Sequence, residues 1–238
     1  SHQVEGNTTN DWSEWEKQNA DRLAQEAQSK FGHIKYWERL RPEAEDPMNY
    51  ISGEACDHYH RFREDFDIAK SLHHNAHRFS IEWSRIEPTE GVFDEKAIAH
   101  YRDVLSALHE RGITPFVTLW HWTLPLWLRD QGGVASKQFP TYFERYTRHV
   151  VGKLHDQVKF WIPLNEPTSV IAGAYTTGAW PPQKKSYILA YRVYHILADA
   201  HKRAYYAIHD IDPDAKVGLA NLLHSFEPYH EHSFFDTL

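Results

Sequence analysis

Trp161-Ile-Pro-Leu-Asn165-Glu166-Pro167 is the stretch from which the fold of this chain is best predicted. A mostly apolar run from Val158 to Leu164 leads directly into an amide, a carboxyl and a proline. Such a run between polar turns is typical of a strand buried in a parallel sheet. A carboxylate at the end of that strand lies where barrel enzymes keep their catalytic groups. The alternative is a Glu that only caps the following helix, and the neighbouring strands favour catalysis.

Strand and helix patterns alternate on both sides of this stretch. Strands are predicted over residues 76–81, 114–119, 158–164 and 216–220, and amphipathic helices over 57–73, 94–110, 139–155 and 187–209. These spacings suit parallel crossover units. We therefore predict an α/β fold, a (β/α)8 TIM barrel of which the chain supplies about the first half (strands 1–5). Residues 1–238 would form one domain that is incomplete without a C-terminal half.

The N-terminal region carries two further predictions. Residues 1–6 have the pattern of the tail of a strand with its exit loop, which predicts that processing or truncation removed what came before. Residues 17–47 are polar and charged, and we expect a decorated loop or lid near the site, with a short exposed helix over 21–29.

Polar groups end every predicted strand, and this pattern indicates an enzyme. They are Gln3, Arg78, His121, Asn165 with Glu166, and Asn221. In a (β/α)8 barrel these positions converge on one mouth. Six tryptophans cluster near the same strand ends: Trp83, Trp120, Trp122, Trp127, Trp161 and Trp180. Their ring faces suit stacking on sugar rings. For any single tryptophan, the alternative is a role in packing the protein interior.

Composition excludes several classes of function. The net charge of −7, without a basic stripe, argues against nucleic acid as a partner. No apolar run approaches the roughly 20 residues of a membrane span. The single cysteine, Cys56, excludes an intrachain disulfide framework and fits a reducing, cytoplasmic location. Dinucleotide and P-loop motifs are absent from the sequence, and its histidine groups are predicted to be structural or solvated, so neither cofactor nor metal is expected.

Four motifs together resemble glycoside hydrolase family 1. They are His2-Gln-Val-Glu-Gly6, Arg78-Phe-Ser-Ile-Glu-Trp-Ser-Arg85, His121-Trp-Thr-Leu-Pro125 and Asn165-Glu-Pro167, in the order and approximate spacing of that family. The resemblance covers essentially the whole chain. It implies a (β/α)8 barrel and a retaining β-glucosidase or β-galactosidase activity.

The resemblance also implies a role for each matching residue. Glu166 resembles the general acid/base, Asn165 the ligand of the sugar 2-hydroxyl, and Arg78 the arginine that orients the nucleophilic carboxylate. A retaining glycosidase requires one carboxyl that protonates the leaving oxygen and a second, about 5 Å away, that attacks the anomeric carbon. The glycone-binding positions are matched by Gln3, His121 and Trp122.

The sequence departs from the family pattern in two places. Pro163 stands where the family usually has Thr, and because proline lacks an N–H, a local bulge or altered strand pairing is possible there. The nucleophile of the family lies in an I/V-T-E-N-G motif on the seventh strand, and this sequence contains no such motif. Three explanations stay open: a truncated or nicked chain, a split enzyme, or a substitute nucleophile such as Glu82, Glu227 or Glu231.

The predicted function is a retaining exo-β-glycosidase that hydrolyses small β-glucosides or β-galactosides by double displacement. Its partners would be the glycoside and a C-terminal half-barrel, so the chain alone is expected to be inactive. The alternatives are a non-catalytic carbohydrate-binding half-barrel and a 6-phospho-β-glycosidase.

Overall fold

A four-stranded parallel sheet organises residues 2–223, the part of the chain that the computed structural model describes. The strand order β1-β2-β3-β4 follows the sequence, so each connection crosses over to the adjacent strand. The register pairs Ser80 with Thr118, and Trp120 with Leu164. The strands are β1 (Ala76–Ser80), β2 (Thr114–Trp120), β3 (Phe160–Leu164) and β4 (Lys216–Val217).

Helices precede and connect these strands. The helices predicted over 57–73, 94–110, 139–155 and 187–209 begin and end close to those positions. The second of them begins as expected, because Asp94 accepts hydrogen bonds from the N–H groups of Lys96 at 2.8 Å and Ala97 at 3.3 Å. The helices are α1 (His2–Glu5), α2 (Asp11–Phe31), α3 (Trp37–Ala44), α4 (His58–Ser71), α5 (Trp83–Ile86), α6 (Glu95–Glu110), α7 (Leu126–Asp130), α8 (Phe139–Leu154), α9 (Pro167–Val170) and α10 (Tyr187–Ile211).

The main core lies between the sheet and the helices α6, α8 and α10. Alternation along the strands turns Val117, Leu119 and Trp161 into this core, where all three are buried. Phe116 and Phe160 lie on the opposite face of the sheet, half-buried and stacked with ring centroids 4.3 Å apart. One face of the sheet is therefore sealed by helices, and the other carries the side chains from which the site is built.

The prediction that residues 1–6 end a strand is wrong. His2–Glu5 form a helical turn, closed by a hydrogen bond from Gly6 N–H to the His2 carbonyl at 3.3 Å. Side chains hold the turn in place, because Arg85 donates to the Glu5 carboxylate at 2.9 Å and to the Gly6 carbonyl at 2.7 Å. Gly6 has φ +78°, and a Cβ there would lie 1.8 Å from the Glu54 carbonyl oxygen, so the chain can turn only at a glycine.

Residues 17–47 do not form the predicted loop or lid. Most of them belong to α2 and α3, and the expected short helix over 21–29 is the second half of a 21-residue helix. Alanines spaced four and then three residues apart, Ala20, Ala24 and Ala27, are buried along one face of α2. The abundance of charged residues concealed this narrow apolar stripe.

Pro163 does not produce a bulge. The pairs on either side of it, Thr118 with Ile162 and Trp120 with Leu164, keep one continuous register. Odd-numbered residues at the start of β3 turn their backbone polar groups toward β4, because Lys159 O accepts from Lys216 N–H at 2.7 Å and Trp161 O from Gly218 N–H at 3.0 Å. By this alternation Pro163 lacks its N–H on the side of β4, which ends at Val217, and the pairing with β2 keeps its register. At the next strand, β4 ends at Val217, so Asn221 lies beyond it rather than at its last residue.

Candidate active site

Arg78 joins three consecutive strands on the open face of the sheet. Its Nε donates to the Thr118 hydroxyl on β2 at 2.9 Å, and its Nη2 forms a short hydrogen bond to Oδ1 of Asn165, directly after β3. Burial lowers the pKa of the Arg78 guanidinium, and the nearby charge of Glu166 opposes that shift. The guanidinium therefore fixes the Asn165 amide while lying within electrostatic reach of the Glu166 carboxylate.

His121 follows β2 and is held by a residue of β1. Its Nδ1 lies 3.0 Å from the Ser80 hydroxyl oxygen. Burial, and then the positive charge of Arg78, lower the pKa of His121 to about 4. The ring is consequently neutral near pH 7, with one nitrogen engaged by Ser80 and the other available to a ligand hydroxyl.

Trp122 connects the end of β2 to the end of β3. Its indole N–H donates to the Asn165 carbonyl at 3.0 Å. Its backbone has φ +79°, a left-handed conformation that is rare for a bulky residue. Strained backbone conformations of this kind are concentrated at functional sites. Its ring lies 4.7 Å from that of Trp180 and 6.3 Å from that of Trp12. The Trp122 side chain is thus held by a hydrogen bond at its indole N–H and by two neighbouring tryptophan rings.

Glu166 also has a left-handed backbone, with φ +41° and ψ +60°. Its N–H donates to the Ala220 carbonyl at 2.7 Å, and its Oε2 accepts from the Ser169 hydroxyl at 3.0 Å. The side chain is half-buried, and it forms no ion pair with the residues in the 2–223 range. The carboxyl therefore has one oxygen held by a neutral donor and remains partly open to solvent.

A cavity of about 570 Å³ brings most of the predicted residues together. Arg78, His121 and Trp122 line it, and so does Gln3, which is exposed on α1. Asn165 contacts this wall through its hydrogen bonds to Arg78 and Trp122. Glu166 is adjacent to Asn165 in sequence but does not itself line the cavity. Most of the predicted site residues therefore lie around one cavity, and the Glu166 carboxyl is outside its lining.

Several tryptophans serve packing rather than the cavity. Trp83, Trp120 and Trp161 are each only 1% exposed, so they belong to the core. Trp122 and Trp180 are half-buried beside the cavity. The sequence reasoning missed Trp12, which also lines the cavity from α2. The detectable signal was its spacing of three residues from Trp15, which puts both rings on one helical face.

Glu82, the one substitute nucleophile within the described range, is enclosed completely. Its carboxylate is 0% exposed and accepts hydrogen bonds from the hydroxyls of Ser84 at 2.8 Å and Thr123 at 3.0 Å. The His2 N–H donates to its other oxygen at 3.2 Å. Glu82 is therefore a structural anchor without access to a substrate. Glu227 and Glu231 lie outside the described residues.

No helix among residues 2–223 is long and apolar enough to cross a membrane. The same residues contain no group of His, Cys, Asp and Glu arranged to hold a metal ion.

Comparison with known proteins connects this arrangement to one family. The family model Glycosyl hydrolase family 1 matches residues 28–236. The chain is 39% identical over 190 residues to beta-glucosidase A of Thermotoga maritima, which covers 78% of this chain and 43% of the relative. It is 40% identical over 156 residues to beta-glucosidase 42 of Arabidopsis thaliana, covering 63% of this chain and 32% of that protein.

Solved structures agree with the sequence comparison. The family 1 β-glucosidase from Thermotoga maritima superposes with a TM-score of 0.73 at 38% identity, over 77% of this chain and 41% of that one. The same enzyme in complex with deoxynojirimycin also gives a TM-score of 0.73. The TIM-barrel class predicted from the sequence is confirmed. The chain spans about two fifths of the length of the Thermotoga maritima enzyme, so it corresponds to part of such a barrel.

Proposed function

The chain belongs to glycosyl hydrolase family 1, and from this membership we propose that it supplies the acid/base side of a retaining β-glycosidase site. The substrates would be small β-glucosides or β-galactosides. The observation that carries the proposal is the hydrogen-bonded junction of Arg78, Asn165 and Trp122. It links β1 to the residues that follow β2 and β3, beside a cavity large enough for a sugar ring.

In the first step of the proposed mechanism, protonated Glu166 donates its proton to the glycosidic oxygen as the bond to the anomeric carbon breaks. A second carboxylate attacks that carbon from the opposite face and forms a glycosyl ester. Glu166, now a carboxylate, then removes a proton from the water that displaces the ester. The Asn165 amide, held by Arg78, would bond the sugar 2-hydroxyl as positive charge develops on the ring.

The second carboxylate is proposed to come from a C-terminal half-barrel, in the same polypeptide or in a separate one. Among residues 2–223, β1 and β4 each have a paired strand on one side only, so the sheet offers two edges to further strands. Arg78 lies on β1, at one of these edges. Its guanidinium would contact the incoming carboxylate. Neutral His121, with Gln3, would bond the hydroxyls of the glycone, and the Trp122 ring would pack against the sugar.

Replacement of Glu166 tests the acid role in the protein assembled with its complementary half. We expect Glu166→Gln to lower kcat/KM by about 10²–10⁴-fold for alkyl glycosides, whose leaving groups need a proton. Aryl glycosides with acidic phenol leaving groups should lose much less. Hydrolysis rates of a series of glycosides with graded leaving-group pKa provide the measurement.

The matched control is Glu38→Gln, an exposed carboxyl on α3, which should leave both substrate classes unchanged. Equal losses for alkyl and aryl glycosides in Glu166→Gln would remove Glu166 from the acid role. Saccharide binding without turnover in the assembled wild-type protein would favour a non-catalytic carbohydrate-binding half-barrel instead.

A further inference from the structure

The serine of α9 makes a side-chain contact that differs from those of two other helical serines. Ser29 in α2 and Ser71 in α4 each donate their hydroxyl to the carbonyl three residues earlier, at 2.8 Å and 2.7 Å. Ser169 instead donates to the side chain of the residue three positions earlier, Oε2 of Glu166, at 3.0 Å. The Ser169 hydroxyl therefore bonds the carboxyl that the proposed mechanism uses, and not the backbone.

The backbone around Glu166 accounts for this choice of acceptor. The Glu166 carbonyl already accepts from the N–H groups of Ser169 at 3.0 Å and Val170 at 3.3 Å, which close the turn of α9. The left-handed conformation of Glu166 is uncommon for a residue other than glycine. No N–H of α9 donates to the Glu166 carboxylate, so this side chain does not cap the helix that follows it. The carboxyl is therefore available to Ser169 and to a substrate.

Ser169 lies on a segment that packing holds in place. The next residue, Val170, is buried, and so is Tyr175 in the π-helical turn that follows α9, Ile171–Thr176. The Tyr175 carbonyl accepts from Ser186 N–H at 2.8 Å, which ties this turn to the start of α10. Turns of this wide kind are frequent at functional sites. The Ser169 hydroxyl therefore projects from a fixed support.

The bond from Ser169 makes the two carboxyl oxygens of Glu166 unequal. Oε2 accepts the hydroxyl proton, whereas Oε1 has no hydrogen-bond partner among residues 2–223. A protonated carboxyl carries its proton on one oxygen and keeps the other as an acceptor, and an ionised carboxyl accepts at both. Oε2 can therefore accept from Ser169 in both protonation states of Glu166, and the same hydrogen bond can persist through a cycle of proton transfer.

We propose that Ser169 is a positioning residue for the reaction, which holds Oε2 of Glu166 so that Oε1 carries the proton. This inference rests on the proposed function, because it requires that Glu166 is the acid/base. In the first step, the proton of Oε1 passes to the leaving oxygen as its bond to the anomeric carbon breaks. In the second step, Oε1 takes a proton from the attacking water. Ser169 keeps its own proton throughout and fixes the orientation of the carboxyl, on which efficient proton transfer depends.

Ser169→Thr and Ser169→Val form a matched pair of variants, because both side chains branch at Cβ and only threonine keeps the hydroxyl. In the protein assembled with its complementary half, kcat/KM for alkyl glycosides should be about tenfold lower in Ser169→Val than in Ser169→Thr. Aryl glycosides with acidic phenol leaving groups should show a much smaller difference. The inhibition constant of glucose should be the same in both variants, since Ser169 does not line the cavity beside Arg78 and His121.

The control pair is Ser29→Thr and Ser29→Val, where the same change removes a hydroxyl that bonds only a backbone carbonyl, and these two should be equally active. The inference is overturned if Ser169→Thr and Ser169→Val hydrolyse alkyl glycosides equally well while Glu166→Gln loses activity selectively on that class. It is also overturned if Ser169→Val loses as much on aryl as on alkyl glycosides, which is the result of a merely structural role. Equal losses for both classes in Glu166→Gln would overturn the proposed function itself, and this inference with it.

Discussion

At the scale of single residues, Asp11 is the group whose chemistry depends most on the fold. Burial is the main cause that raises its pKa to about 7, and hydrogen bonds from Leu124 and Trp12 oppose this shift. The negative charge of Glu82 raises the pKa further. Since a free Asp has a pKa of about 3.9, the folded chain retains a proton that the unfolded chain has lost between about pH 4 and 7.

This difference predicts a pH-dependent stability. The free energy of unfolding should fall as pH rises from about 4 to 7, by at most on the order of 4 kcal/mol from this group. Asp11→Asn removes the titration and keeps an oxygen that can accept from Leu124. The variant should therefore lose less stability than wild type between pH 5 and pH 8, as measured by urea unfolding at both pH values.

Asp21→Asn, an exposed position on α2, is the control and should follow wild type at both pH values. If Asp11→Asn and wild type show the same difference between pH 5 and pH 8, then Asp11 is ionised in the folded state at the lower pH.

The sequence predicted some site residues and missed others for a physical reason. Arg78 lies on β1, and His121 and Asn165 directly follow β2 and β3, so a correct strand assignment is sufficient to bring them together. Asp11 acquires its properties from the hydrogen bond of Leu124 and from the charge of Glu82, two residues that are far away in the chain. No local pattern carries that information.

At the scale of secondary structure, the start of α2 is fixed by reciprocal hydrogen bonds. Asn10 Oδ1 accepts from Ser13 N–H at 2.9 Å, and Ser13 Oγ accepts from Asn10 N–H at 3.0 Å. The Asn10 amide also donates to the Thr8 hydroxyl at 3.1 Å. Asn10 is 0% exposed, so these groups have no access to water as an alternative partner. The cap therefore orients the helix that carries Trp12 and Trp15.

Removal of this cap should cost more than removal of an ordinary one. We expect Asn10→Ala to lower the free energy of unfolding by about 2 kcal/mol, since the cap itself contributes about 1 kcal/mol and buried donors are left unpaired. Asp94→Ala, which removes the cap of α6 without burying a polar group, should cost about 1 kcal/mol. Equilibrium urea unfolding measures both, and equal losses would mean that water replaces the contacts of Asn10.

Elements with a strong period were predictable, and those held by distant contacts were not. The apolar residues Ile98, Tyr101, Leu105 and Leu108 recur at helical spacing and are all buried in α6. By contrast, α1 is only four residues long and is held by Arg85, so its sequence resembles the end of a strand equally well. In β3, the apolar pattern predicted the strand correctly in spite of Pro163.

At the scale of the whole molecule, the sheet has a protected centre and two open edges. Strands β2 and β3 are paired on both sides, whereas β1 and β4 are paired on one side within residues 2–223. The amides of β2 and β3 should therefore exchange slowest in hydrogen–deuterium exchange, and those of β1 and β4 faster. Mass spectrometry of peptides from each strand provides the measurement.

Addition of the proposed C-terminal half-barrel should then slow exchange in β1 and β4 and leave β2 and β3 nearly unchanged. Slow exchange of the β1 peptide before any addition would indicate that its free edge is already covered. Protection confined to the helices after addition would place the partner elsewhere than at the sheet edges.

The clustered indoles near the cavity have a spectroscopic consequence. Trp122 and Trp180 lie 4.7 Å apart with their planes inclined by 32°. Strongly absorbing chromophores so close together, and neither parallel nor perpendicular, share their electronic excitation. Circular dichroism should therefore contain an exciton couplet that reports the mutual orientation of these rings. Its amplitude would offer a label-free signal for any event that reorients either chromophore.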